Sequence, residues 1–126
     1  MVDDVRDDLK YTDSHEWVKQ EGNKVIVGIT DHAQAELTDV VFVELPDLGK
    51  EVKKGEELCV VESVKSVSEI FAPVSGKITK VNKELEDSPE NVNQQPYGNG
   101  WLVEMEISDE SEIEELMDSE SYKKII

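Results

Sequence analysis

Lys65 is the residue of this chain best placed to do chemistry. It stands in the run Val60-Val61-Glu62-Ser63-Val64-Lys65-Ser66-Val67-Ser68-Glu69, with Phe71-Ala72-Pro73-Val74-Ser75-Gly76 beyond. Both flanks have strand character. If they pair as a hairpin, Lys65 falls at or near its tip, and a primary amine there projects into solvent, open to a modifying enzyme. Ser63, Val64, Ser66 and Val67 are small or compact, so a docking active site can approach closely. Lysine is also common at exposed turns, so the pattern alone does not assign a role.

The other reactive residue types argue by their scarcity. Cys59 is the single cysteine and lies in Leu58-Cys59-Val60-Val61, which reads as a buried structural thiol and rules out an internal disulfide. His15 and His32 are the only histidines, too few for a clustered Cys/His metal site. Neither has a nucleophile nearby in sequence, so both read as hydrogen-bonded structural residues. No nucleophile–base constellation for a stand-alone enzyme is legible. Trp17 and Trp101 read as packing residues. The formal net charge of −17 repels phosphate backbones and anionic lipid, which disfavours nucleic acid and membrane as partners. It favours partners with basic docking surfaces. No apolar run reaches membrane-spanning length, and no secretory or transit segment is legible at the N-terminus. A soluble protein of a reducing compartment is expected.

The 126 residues fit one domain. Residues 1–9 are expected to be a loose acidic lead and 10–126 a single domain. Short strands are expected at Glu16–Lys19, Lys24–Ile29, Val40–Leu45, Glu57–Ser63, Ser66–Ala72, Gly76–Val81 and Trp101–Ile107. Thr30 is placed to cap a short helix over Asp31–Leu37. Ser88-Pro89-Glu90 suits the opening of one helical turn. From Ser108 onward the spacing of Ile113, Leu116 and Met117 predicts an acidic C-terminal helix with a solvated face over Asp109–Glu120, and a further short turn over Ser121–Ile125 is expected to pack Tyr122 and Ile126 back on the body. Strands every ten residues or so, with turn signals between them, predict a mainly β sandwich or barrel.

Glu62-Ser63-Val64-Lys65-Ser66 resembles the lipoylation site of glycine cleavage H proteins, whose hallmark is Glu-Ser-Val-Lys followed by a small residue. A biotin carrier would show methionines where Val64 and Ser66 stand, and a lipoyl domain of a 2-oxoacid dehydrogenase would show aspartate before the lysine. The resemblance runs along the chain through Ser14-His15-Glu16-Trp17-Val18, Val27-Gly28-Ile29-Thr30-Asp31-His32-Ala33-Gln34, Asp39 to Pro46, Ala72 to Lys77, Pro96-Tyr97 and Gly100-Trp101. Ser66, where alanine is commoner, is a mild departure.

The resemblance implies a lipoyl-domain-like barrel-sandwich hybrid. It implies lipoate bound covalently to Lys65, with Ser14, Glu16 and Glu69 lining a cleft that shelters the loaded arm. It implies glycine decarboxylase, aminomethyltransferase and dihydrolipoyl dehydrogenase as partners, with a lipoate ligase or a lipoyl/octanoyl transferase as the modifying enzyme. A non-catalytic monomer is expected, and Met1 with no legible transit segment favours the bacterial cytoplasm over the mitochondrion. Two other readings share the residues: a relay that passes lipoyl from Lys65 to 2-oxoacid dehydrogenases, and an interaction module whose lysine stays unmodified.

Overall fold

β-branched runs bounded by turn residues set the strands. A computed structural model describes residues 4–126; residues 1–3 of the expected lead lie outside them. The strands are β1 (Lys10–Tyr11), β2 (Glu16–Glu21), β3 (Lys24–Ile29), β4 (Val40–Glu44), β5 (Glu51–Val52), β6 (Glu57–Ser63), β7 (Val67–Phe71), β8 (Gly76–Val81) and β9 (Val103–Ile107). The helices are short: α1 (Asp31–Leu37), α2 (Glu84–Asp87), α3 (Asn91–Gln94), α4 (Ser111–Glu114) and α5 (Ser119–Lys123). All strand pairs are antiparallel. One sheet has the order β1-β2-β3-β9-β8-β5 and the other β4-β6-β7.

The main core includes Val25, Val27, Val61, Ile70, Val74, Ile78, Val103 and Met105. Alternation along β2 sends Val18 into that core and Trp17 into a second cluster with Leu9, Tyr11 and Tyr122. The Trp17 indole N–H donates to the Pro96 carbonyl at 2.9 Å, so the buried polar tip is satisfied. Between β2 and β3, Gly22 takes φ 66°, which suits the two-residue hairpin turn it makes with Asn23.

α1 positions one side of the site. Thr30 caps it by accepting from the Ala33 N–H at 3.2 Å. Its far end is held by Asn93 of α3, which donates to the Thr38 carbonyl at 2.7 Å and accepts from the Val40 N–H at 2.8 Å.

Three expectations need correction. The helix expected over Asp109–Glu120 is broken after α4, the further turn expected beyond it is part of α5 with Tyr122 buried, and Ile126 is exposed rather than packed on the body. The break falls at Met117, whose N–H and carbonyl both pair with Tyr11 at 2.8 Å and so leave the helical ladder. Asp118 then caps α5 by accepting from the Ser121 N–H at 2.9 Å. The acidic lead is not loose from Asp4 onward. Leu9 is buried in the second cluster, Asp4 N–H reaches Asp31 at 2.9 Å, and the Arg6 guanidinium lies 4.9 Å from the centre of the Tyr97 ring.

Candidate functional site

The β6–β7 hairpin pairs Val60 with Glu69, Val61 with Ser68 and Glu62 with Val67, which leaves Val64 and Lys65 at the tip. One side chain orders that tip. Ser63 Oγ accepts from the Lys65 N–H at 3.1 Å and the Ser66 N–H at 3.0 Å, and its hydroxyl donates to the Ser66 carbonyl at 3.2 Å. The Val64 N–H donates to the Asp39 carbonyl at 3.0 Å, tying the tip to the segment after α1. Ser63→Ala should therefore cost about 1 kcal/mol of stability and speed amide exchange at Lys65 and Ser66. Denaturant unfolding and hydrogen exchange check this; unchanged exchange at both amides would remove Ser63 as the organiser.

Lys65 is exposed, and its Nζ donates to the Glu36 carbonyl at 3.2 Å. That carbonyl lies in the last turn of α1, where the helix dipole favours a cation. Beside the lysine opens a cleft of about 390 Å³, within the size range of small-ligand sites. One wall is Ser14 and His15, a second is Ala33, Glu36 and Leu37 of α1, and a third is Ser66, Ser68, Glu69 and Ile70 along β7. Ile29 also contributes to the lining.

His15 holds φ at 71°, a left-handed conformation that costs a non-glycine residue about 1–3 kcal/mol. Its neighbours fix it there. The His15 N–H donates to the Thr12 carbonyl at 3.2 Å, and its own carbonyl accepts from the Thr30 N–H at 3.0 Å. The His15 and His32 rings lie 4.8 Å apart, and His32 Nε2 is 3.1 Å from a Glu36 carboxylate oxygen. Both histidines are thus hydrogen-bonded, as expected, and His15 also lines the cleft.

The structure brings Ser14, Glu69 and Lys65 together, but it turns Glu16 away from the cleft. Glu16 is 1% exposed, and its Oε1 accepts from the Thr12 and Ser14 hydroxyls, each at 2.6 Å. It stands behind Ser14 as a support because strand alternation carries its side chain inward. Burial raises the Glu16 pKa, against the opposing effect of hydrogen bonds from Ser14, Thr12 and the Phe71 backbone. A carboxyl with a raised folded pKa binds its proton more tightly folded than unfolded, so stability falls as pH rises through the ordinary carboxylate range and above it. Glu16→Gln keeps an oxygen acceptor for the two hydroxyls and cannot ionise. The unfolding free energy of the wild type should therefore decline relative to this variant as pH climbs above the usual glutamate value. Parallel pH profiles would show that Glu16 carries no such penalty.

Of the motif flanks, Glu62 is exposed and pairs across the sheet with Phe42 and Val67, while Val64 is exposed at the tip. Ser66 is exposed and Ser63 is buried. Cys59 is buried in the main core, and burial pushes its thiol pKa up. Among the described residues, no three His, Cys, Asp or Glu side chains are grouped to hold a metal ion. No described helix is long and apolar enough to cross a membrane.

Two antiparallel sheets with short helices make a lipoyl-domain-like barrel-sandwich fold, with Lys65 exposed on its β6–β7 hairpin. The family model of the glycine cleavage H-protein matches residues 9–126. The glycine cleavage system H protein of Staphylococcus saprophyticus is 57% identical over 122 residues, covering 97% of each chain. That of Halalkalibacterium halodurans is 54% identical over 125 residues, covering 99% of this chain and 98% of its own. The crystal structure of a glycine cleavage system H protein from Mycobacterium marinum aligns with a TM-score of 0.87 at 38% identity, covering 95% of this chain and 97% of that one. The chain belongs to the glycine cleavage H-protein family, and its role is that of the lipoyl carrier in glycine cleavage.

The α1 wall is what reading the sequence for a site missed. Its signal was present: in a helix capped at Thr30, Ala33, Glu36 and Leu37 fall at spacings of three and four on one face. Nothing local marks that face as lying beside Lys65, because the contact depends on how the hairpin docks.

Proposed function

We propose that Lys65 carries lipoate in amide linkage and that the chain works as a non-catalytic shuttle. It takes the aminomethyl group of glycine from a pyridoxal-phosphate-dependent decarboxylase to a tetrahydrofolate-dependent aminomethyltransferase. It then presents the reduced arm to dihydrolipoyl dehydrogenase. The observation that carries this reading is an exposed lysine amine on an ordered hairpin, beside a polar cleft of the same chain.

When bound, lipoate supplies a disulfide that accepts the aminomethyl carbon and a dithiol that is reoxidised afterwards. The chain's residues supply presentation. Ser63 holds the tip in shape. Acylation turns the Lys65 ammonium into a neutral amide with a single N–H, which weakens its hold on the Glu36 carbonyl and frees the arm to move. Lysine stem and lipoyl chain together reach on the order of 14 Å, from ordinary bond lengths. Tethering replaces a bimolecular search with a local one. Glu36 and Glu69 line the cleft and give it an acidic character that suits a cationic amine cargo, and Ser14 adds a hydroxyl supported by Glu16.

Phe42, Val64 and Val67 expose apolar surface around the tip, and the net charge of −17 suits partners with basic faces. A lipoate ligase or a lipoyl/octanoyl transferase installs the group, and the setting is the bacterial cytoplasm. Reconstitution tests the proposal. The lipoylated chain, mixed with the decarboxylase, the aminomethyltransferase and dihydrolipoyl dehydrogenase, should support glycine-dependent NADH formation, and the unmodified chain should not. Equal turnover with the unmodified chain would overturn it.

A further inference from the structure

We propose that Tyr122 is a positioning residue of the cleft: through its hydroxyl, helix α5 fixes His15 and Thr30, and so sets two of the three walls. The inference rests on reading that cleft as the shelter of the Lys65 arm.

The Tyr122 hydroxyl lies 2.8 Å from His15 Nδ1 and 2.7 Å from Thr30 Oγ1. Thr30 Oγ1 also accepts from the Ala33 N–H that opens α1, at 3.2 Å, and the Thr30 N–H holds the His15 carbonyl at 3.0 Å. The bonds form a closed loop from the left-handed His15, through Tyr122, to the cap of α1 and back to His15. Tyr122 and Thr30 are both fully buried, so the bond between their hydroxyls is shielded from competing water, while His15 is half-buried and faces the cleft.

Each hydroxyl has a single proton, which makes the chain directional. If Tyr122 donates to His15, Nδ1 is an acceptor and the imidazole carries its proton on Nε2. If Nδ1–H donates to Tyr122, the phenol proton goes to Thr30. The two senses give opposite tautomers, so the sense that prevails along Tyr122 and Thr30 sets the tautomer of His15 in the cleft wall.

The Tyr122 ring does separate work. It stacks on Tyr11 with centroids 4.6 Å apart and planes 8° from parallel. Among the described residues the Tyr11 hydroxyl bonds to the Arg6 backbone, accepting from its N–H at 2.7 Å and donating to its carbonyl at 2.6 Å. Tyr11→Phe is thus a control that removes a hydroxyl from the same stacked pair without touching the cleft.

The test reads the imidazole nitrogens of His15 by ¹⁵N NMR in the unmodified chain, for wild type, Tyr122→Phe and Tyr11→Phe. The wild type should show one neutral tautomer at His15, Tyr122→Phe a mixture closer to free imidazole, and Tyr11→Phe the wild-type pattern. In lipoylated protein, decay of the aminomethyl-loaded arm should quicken about fivefold in Tyr122→Phe alone, the rate equivalent of one lost hydrogen bond. A wild-type pattern in Tyr122→Phe, or the same change in both variants, would overturn the proposal. If Tyr122→Phe does not fold, the wild type decides: mixed tautomers at His15 refute the proposal, and a single one supports it. If the wild-type arm decays as fast as free aminomethyl-dihydrolipoamide, the shelter reading falls, while the NMR result still decides the role of Tyr122.

Discussion

Lys65→Arg should reduce glycine-cleavage activity to background and leave the fold intact. The guanidinium keeps the positive charge and can still donate to the Glu36 carbonyl, so that hydrogen bond of the unmodified side chain survives. It stays protonated at any working pH and offers no free amine to acylate. Lys65 is exposed, and substitutions at such sites usually change stability by about 0.5 kcal/mol or less. Thermal unfolding and the reconstituted assay separate the two effects. A variant that unfolds with the wild type and is inactive places the defect in the chemistry of one amine. A variant that retains turnover would mean that another group carries the cargo.

Gly100→Ala should have the largest effect on stability among single-methyl additions in the loop after α3. A Cβ at Gly100 would stand 2.5 Å from the Asn91 carbonyl oxygen, 2.7 Å from that of Gln95 and 2.9 Å from the Val92 Cα. All three are backbone atoms, so no side chain can rotate away. Overpacking of this kind costs about 2–3 kcal/mol, which lowers Tm by roughly 10 °C in a domain of this size. The strain should also reach the site. α3 carries Asn93, which holds the Thr38 carbonyl and the Val40 N–H, and Asp39 between them accepts from Val64 at the hairpin tip. Faster amide exchange at Val64 should therefore accompany the lower Tm. An unchanged Tm would show that the α3 loop yields without cost.

The sequence was most informative where one local rule decides. β3, α1, β6 and β8 fall on the residues expected, because each is a β-branched or capped run with turn residues at its ends. The place of Lys65 at a hairpin tip was legible for the same reason, since the hairpin is a local structure. Elements decided by distant partners were not. α2 has no side-chain cap and no preceding signal; it forms with Leu85 buried in the main core. The C-terminal periodicity was real, but Tyr11, more than a hundred residues away, takes the Met117 backbone and splits the helix. Glu16 was assigned to the cleft by its place in the motif, and only the register of β2 against β3 shows that it points inward. His15 is the reverse case: read as a structural residue, it bonds to Tyr122 and also lines the cleft.

The central claim, that the Lys65 amine bears the cofactor, is tested most directly by intact mass with peptide mapping, on wild type and Lys65→Arg made in lipoate-supplemented cells holding a competent ligase. The account predicts an added lipoyl mass in the wild type, on the peptide containing Lys65 and nowhere else, and none in the variant. A wild-type chain that remains unmodified beside an active ligase, or a lipoyl mass that persists in Lys65→Arg, would contradict it.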